Sequence, residues 1–157
     1  MNTLRIAVGI AWVAFWIYWF ASAWGVKAGA RPSAWARSRL LIVIVAIVVV
    51  RIVHPRGWTF QSWLVDGIGA ALFVCGVAVA IWARVNLGRN WGMPMTTKQE
   101  PELVTSGPYQ FVRHPIYSGL LLAILGTTLL TNIIGLVIVA AFAATFYYSA
   151  LVEERNL

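Results

Sequence analysis

The chain is expected to fold as an all-α membrane protein, a polytopic helix bundle of about five transmembrane helices that closes on a C-terminal helical hairpin. Three observations carry this expectation. Of 157 residues, 61% are apolar and only 11% charged, against about 45–50% and about 25% in soluble globular domains. The apolar residues fall in runs near the roughly 20 residues that a helix needs to cross about 30 Å of hydrocarbon. Basic residues alternate in number between successive connections, as they do between the two sides of a membrane.

The first candidate span covers 4–24. Trp12, Trp16 and Trp19 recur along one stripe of it, which reads as a lipid-facing or packing face rather than a ligand box. Because this run continues through "WFASAWGVKAGA" with further spans behind it, a cleaved signal peptide is not expected. The second span, 34–53, contains "LLIVIVAIVVV". That composition would suit a buried strand in water, but a lone strand in lipid would leave its backbone unpaired, so a helix is expected. Arg37, Arg39 and Arg51 would then snorkel to the two surfaces.

The third span, 64–85, brings Gly76 and Ala80 one turn apart. The fourth, 115–130, does the same with Gly119 and Ala123, and the fifth, 133–152, carries alanines 140, 141, 143 and 144. Small residues at this spacing let helices approach closely in a bilayer. The fourth span is short, and "TN" at 131–132 leaves room only for a tight hairpin into the fifth. The long connection 86–114 holds Gly, Pro, Trp and Tyr rather than a disordered composition, so it is expected to be ordered.

Five spans put Lys27, Arg31, Arg37, Arg39, Arg84, Arg89, Lys98, Arg113 and Arg155 on one side, and Arg5, Arg51 and Arg56 on the other. The richer side is read as cytoplasmic, with the N-terminus outside and the C-terminus inside. The net charge of +7 is thereby explained by topology, and no nucleic-acid partner is inferred. The five acids, Asp66, Glu100, Glu102, Glu153 and Glu154, all avoid mid-span positions, unlike those of a proton-coupled transporter. No metal pattern is present, since His54 and His114 fall on opposite predicted faces and Cys75 stands alone in an apolar run. His54 is read as structural.

The remaining polar groups converge on the side read as cytoplasmic. Glu153 and Glu154 close an apolar helix at its C-terminus, where the helix dipole disfavours negative charge by some tenths of a kcal/mol per acid. Spacing alone leaves two readings: a solvated helix end aided by Arg155, or a pair awaiting a cation. "RHP" at 113–115 likewise reads either as a basic stop with proline in the first helical turn or as part of a site. Taken together, the loop, the histidine-proline corner and the acid pair outline one pocket. It would suit a charged, water-soluble molecule meeting a lipophilic one.

"LGRNWG", "ELVTSGPYQFVRHPIYSG" and "EERNL", in this order and with one helical hairpin between the last two, resemble the isoprenylcysteine carboxyl methyltransferase and phospholipid methyltransferase group. These are integral membrane enzymes that use S-adenosylmethionine. The resemblance covers about residues 82–157. It implies a single membrane domain over 1–157, in which 1–63 are generic spans and 64–157 a methyltransferase-like core with a cofactor loop at 86–114. It implies cofactor contacts at Pro101, Glu102, Leu103 and Val104, at Tyr109 of the turn, at His114, Pro115, Ile116 and Tyr117, and at Glu153, which would meet the cofactor's amino-acid end. The catalytic residues are not identified, and the implied acceptor is a small lipophilic molecule or lipid bearing a carboxylate, thiol or amine.

Members acting on prenylated cysteine carry an arginine one turn before the first acid, where this chain has Ser149. The chain stops at Leu157, where relatives continue with an aromatic, glycine-containing tail. Two alternatives stand beside methyl transfer: a sterol-reductase-like enzyme binding NADPH, since those reductases resemble this family in their C-terminal helices, and an inactive membrane scaffold lacking that tail.

Overall fold

The computed structural model describes residues 2–22, 62–88 and 104–155. They form four helices and one short 3-10 turn: α1 (Asn2–Ala21), α2 (Trp63–Leu87), the turn Gly107–Gln110, α3 (Pro115–Thr131) and α4 (Gly135–Arg155). Helices α1, α2 and α4 are long and apolar enough to cross a membrane, and α3 is a shorter apolar helix. This is a multi-pass, all-α membrane bundle. The expected second span, 34–53, and the part of the long connection at 89–103 lie outside the described residues.

Helix α3 is the centre. Along its length only Ser118 and Thr131 are exposed, and every other residue is buried or half-buried. It runs antiparallel to α2, and glycines set the separation. A Cβ at Gly119 would sit 2.7 Å from the Ala80 nitrogen and the Gly76 carbonyl, and one at Gly69 would sit 2.9 Å from the Gly126 carbonyl. No side chain fits between these backbones. In lipid, where tails are as apolar as leucine, such close packing is a main source of helix association. The small residues of the third and fourth expected spans thus pack as anticipated. Those of the fifth divide, with Ala141 and Ala143 half-buried and Ala140 and Ala144 exposed.

Helix α1 lies parallel to α2 and antiparallel to α3. Its tryptophan stripe divides into three environments. Trp19 is buried with Phe15 against Ala80, Ile116 and Leu120. Trp12 packs on Phe73 and donates its indole N–H to Thr127 Oγ1 at 3.0 Å, while Trp16 remains 42% exposed. At the far end, Arg5 Nε donates to the Leu130 carbonyl at 2.7 Å. That carbonyl belongs to the last turn of α3, where intrahelical donors run out.

The link between α3 and α4 is three residues long. The Asn132 side-chain oxygen accepts the Ile134 N–H at 2.9 Å, and the Asn132 carbonyl accepts the Gly135 N–H at 2.9 Å. Gly135 packs against the Thr128 side chain. The hairpin therefore returns α4 antiparallel to α3, bringing the end of α4 back to the start of α3.

Candidate functional site

The site-bearing end of the bundle is built by three local events. First, α2 ends at Gly88, whose φ of 53° lies in the left-handed region and whose N–H caps the Arg84 carbonyl. Glycine adopts that conformation at little cost. Second, Gly107, with φ of 60°, opens the 3-10 turn directly over Asn86, where any Cβ would collide with the asparagine amide. Asn86 is held in turn by donating to the Trp82 carbonyl at 2.8 Å. Third, His114 stands at the N-cap of α3 with Pro115 at the first helical position. Proline loses nothing there, because that N–H has no intrahelical acceptor. The His114 carbonyl accepts the first helical bond, from Ser118 N–H at 3.1 Å.

These events set the histidine-proline corner against the end of α4. His114 Nε2 lies 3.3 Å from Glu154 Oε1, and Arg113 Nη1 lies 3.6 Å from the same oxygen. The imidazole acts as a hydrogen-bond donor when its proton is on Nε2 and as an ion-pair partner when fully protonated. Ring stacking fixes its plane. The His114 and Tyr117 rings stack at 5.5 Å and 11°, and Tyr117 stacks on Phe146 of α4 at 4.7 Å and 10°. One aromatic column thus runs from the corner through the first turn of α3 into α4. The acid at the unfavourable end of the α4 dipole is offset by two basic groups from a different element.

The expected site residues fall as follows. Val104 is half-buried ahead of the turn, and Tyr109 is half-buried within it. Pro115 is buried, Ile116 packs into the Phe15–Trp19 cluster, and Tyr117 is the middle ring of the column. Pro101, Glu102 and Leu103 lie outside the described residues. Glu153 lies in α4, with its side chain outside what the structure describes. The acid whose contact with the corner is seen is its neighbour, Glu154.

Sequence reasoning missed a second feature. Arg84, treated there as a charge that orients the chain, is 3% exposed. Its Nη1 donates to the Gly88 carbonyl at 2.8 Å and its Nη2 to the Ser22 carbonyl just past α1. Its guanidinium carbon lies 6.0 Å from the Trp19 ring centroid. One cation therefore joins the C-terminal ends of two parallel helices, where both dipoles favour positive charge. The signal available beforehand was an arginine one turn before a helix-ending glycine. Among the described residues, no group of three or more His, Cys, Asp or Glu side chains could hold a metal ion.

The loop corner and the acid end of α4 thus meet at one end of a multi-pass helical bundle. The chain belongs to the isoprenylcysteine carboxyl methyltransferase family, whose model matches residues 69–157. Among curated proteins it is 30% identical over 115 residues to the nickel-cobalt-cadmium resistance protein NccN of Alcaligenes xylosoxydans xylosoxydans, covering 73% of this chain and 51% of that one. It is 31% identical over 115 residues to the cobalt-zinc-cadmium resistance protein CzcN of Cupriavidus metallidurans, covering 73% and 50%. It is 29% identical over 99 residues to protein-S-isoprenylcysteine O-methyltransferase B of Arabidopsis thaliana, covering 61% and 50%. The chain thus spans about half the length of these relatives. No solved structure matches it significantly.

Proposed function

We propose that this chain is an S-adenosylmethionine-dependent methyltransferase acting on a small lipophilic acceptor at the cytoplasmic membrane interface. The observation that carries the reading is the 3.3 Å approach of His114 to Glu154, which brings the loop corner and the acid pair to one end of the bundle. When bound, the cofactor supplies a methyl group on a sulfonium as the electrophile.

The donor set suits that group. Glu154 already has partners in Arg113 and His114. The neighbouring Glu153, near the same dipole end, would welcome an α-ammonium. The half-buried Tyr109 and the His114–Tyr117 pair offer aromatic surface, and the segment ahead of the turn, Pro101, Glu102, Leu103 and Val104, would contact the cofactor.

Displacement at a sulfonium disperses charge, so the protein's part is orientation and exclusion of water. Rigid elements carry out that part here: a glycine turn seated on Asn86, a proline-initiated helix, and a three-ring column. A carboxylate or thiolate acceptor needs no base from the protein, whereas an amine must first lose a proton. Ser149, one turn before the acid pair, is 1% exposed and donates to the Thr145 carbonyl at 2.9 Å. It provides no cation for an acceptor carboxylate, which favours acceptors that do not depend on one there.

Calorimetric titration of the detergent-purified chain tests the reading. Binding of S-adenosylhomocysteine without NADPH supports methyl transfer, binding of NADPH alone replaces it with reduction, and binding of neither leaves the scaffold. Glu153→Gln and His114→Ala should each weaken S-adenosylhomocysteine binding while the bundle stays folded. Unchanged affinity in both removes the site. A lipid-extract screen with labelled methyl donor would then identify the acceptor class.

A further inference from the structure

We propose that residues 111–113 form an interfacial wedge, with Phe111 and Val112 seated in the acyl boundary of an anionic bilayer leaflet and Arg113 among its phosphates. The starting observation is exposure without looseness. Phe111 is 75% exposed and Val112 46%, yet both backbone N–H groups donate to the Pro108 carbonyl at 3.1 Å. The 3-10 turn beneath them is seated by Gly107 on Asn86. A phenyl ring held outward on a braced turn is suited to an apolar surround.

The level of the corner in the bundle supplies one. The apolar stretch of α4 that is long enough to span runs from Gly135 to Val152, and Glu154, two residues on, contacts His114. The corner is therefore level with the point where α4 leaves hydrocarbon. On α2, Trp82 and Val85 are 48% and 62% exposed, within one turn of the Asn86 that carries the loop. The exposed apolar groups of α2 and of the loop thus lie at the same end of the bundle, where an aromatic belt would stand.

Helix α3, at 17 residues, is about 26 Å long, against a core of about 30 Å. The wedge extends the apolar surface just where this central helix stops short. Arg113, with its side chain 82% exposed, follows directly, and a basic residue beside an inserted apolar pair is drawn to anionic headgroups. The inference does not rest on the methyltransferase reading, since it concerns only how the corner meets lipid.

Site-directed spin labelling of the full chain tests it. In a Cys75→Ala background, Phe111→Cys and, separately, Val112→Cys are labelled with a nitroxide. Each is reconstituted into vesicles of phosphatidylcholine and phosphatidylglycerol. Collision with dissolved oxygen should exceed collision with a water-soluble nickel chelate at both positions, and the order should reverse at Ser106 of the same loop. Nickel exceeding oxygen at 111 and 112 would place them in water, and low access to both reagents would place them under protein. Either result overturns the wedge. Omitting phosphatidylglycerol should shift the label at 112 toward water, and Arg113→Gln should abolish that shift. A label indifferent to the anionic lipid removes the role given to Arg113.

Discussion

His114 Nε2 and Glu154 Oε1, 40 positions apart in sequence, stand 3.3 Å apart where the start of α3 meets the end of α4. The contact is partly sheltered, with side-chain exposures of 22% and 36%. Arg113 reaches the same oxygen from a far more open position. A double-mutant cycle with His114→Ala and Glu154→Gln should give a coupling of about 0.5–1 kcal/mol. The corresponding cycle for Arg113 and Glu154 should give close to zero. Reversal of that ranking, measured by denaturation in detergent, would assign the clasp to the arginine.

Gly119 and Gly76 set the distance between α2 and α3. Gly119→Leu should lower stability by about 1–3 kcal/mol through overpacking, because its Cβ would meet backbone rather than movable side chain. Gly67, by contrast, has nothing within 4 Å of where a Cβ would stand. Gly67→Ala should therefore be neutral or gain up to about 1 kcal/mol from helix propensity. Thermal unfolding of the two variants followed by circular dichroism separates these outcomes, and equal melting temperatures would refute the packing account.

Arg84 joins α1 to α2 through the Ser22 and Gly88 carbonyls. Arg84→Met leaves both acceptors short of a donor and should cost about 2–3 kcal/mol. Arg84→Lys keeps the charge but not the fork, so it should recover only part of the loss. Limited proteolysis after α1 should quicken in the methionine variant. A lysine variant as stable as the parent would show that charge alone suffices.

Trp12 ties α1 to the centre of the bundle through Thr127 Oγ1, and that hydroxyl also donates to the Ala123 carbonyl at 2.8 Å. Trp12→Phe keeps most of the ring packing and should cost about 0.5–1 kcal/mol, the usual scale of an interhelical hydrogen bond in lipid. Trp16→Phe, on an exposed face, should be silent in the same denaturation assay. Equal effects would mean that the stripe acts as one surface, against the division seen in the structure.

Much of this protein is written in local composition. A run of about 20 apolar residues can satisfy its backbone in lipid only as a helix, so α1, α2 and α4 were readable directly. The start of α3 at Pro115 was readable because proline fits the first helical turn. The glycine-alanine pairs foretold the α2–α3 contact, since only small residues permit it. The meeting of "RHP" with the acid end of α4 was readable from the tight hairpin at "TN", which returns the chain to the side it left.

Rotation and partnership were out of reach. Adjacent residues on a helix point about 100° apart, so spacing could not say whether Glu153 or Glu154 meets His114. The setting of α4 comes from Phe146 stacking on Tyr117 and Gly135 packing on Thr128, both contacts between helices. Arg84 had the same ambiguity, because an arginine one turn from a helix end can reach outward to headgroups or inward to carbonyls. It turned inward because α1 ends beside it, a neighbour that belongs to no local stretch of the chain.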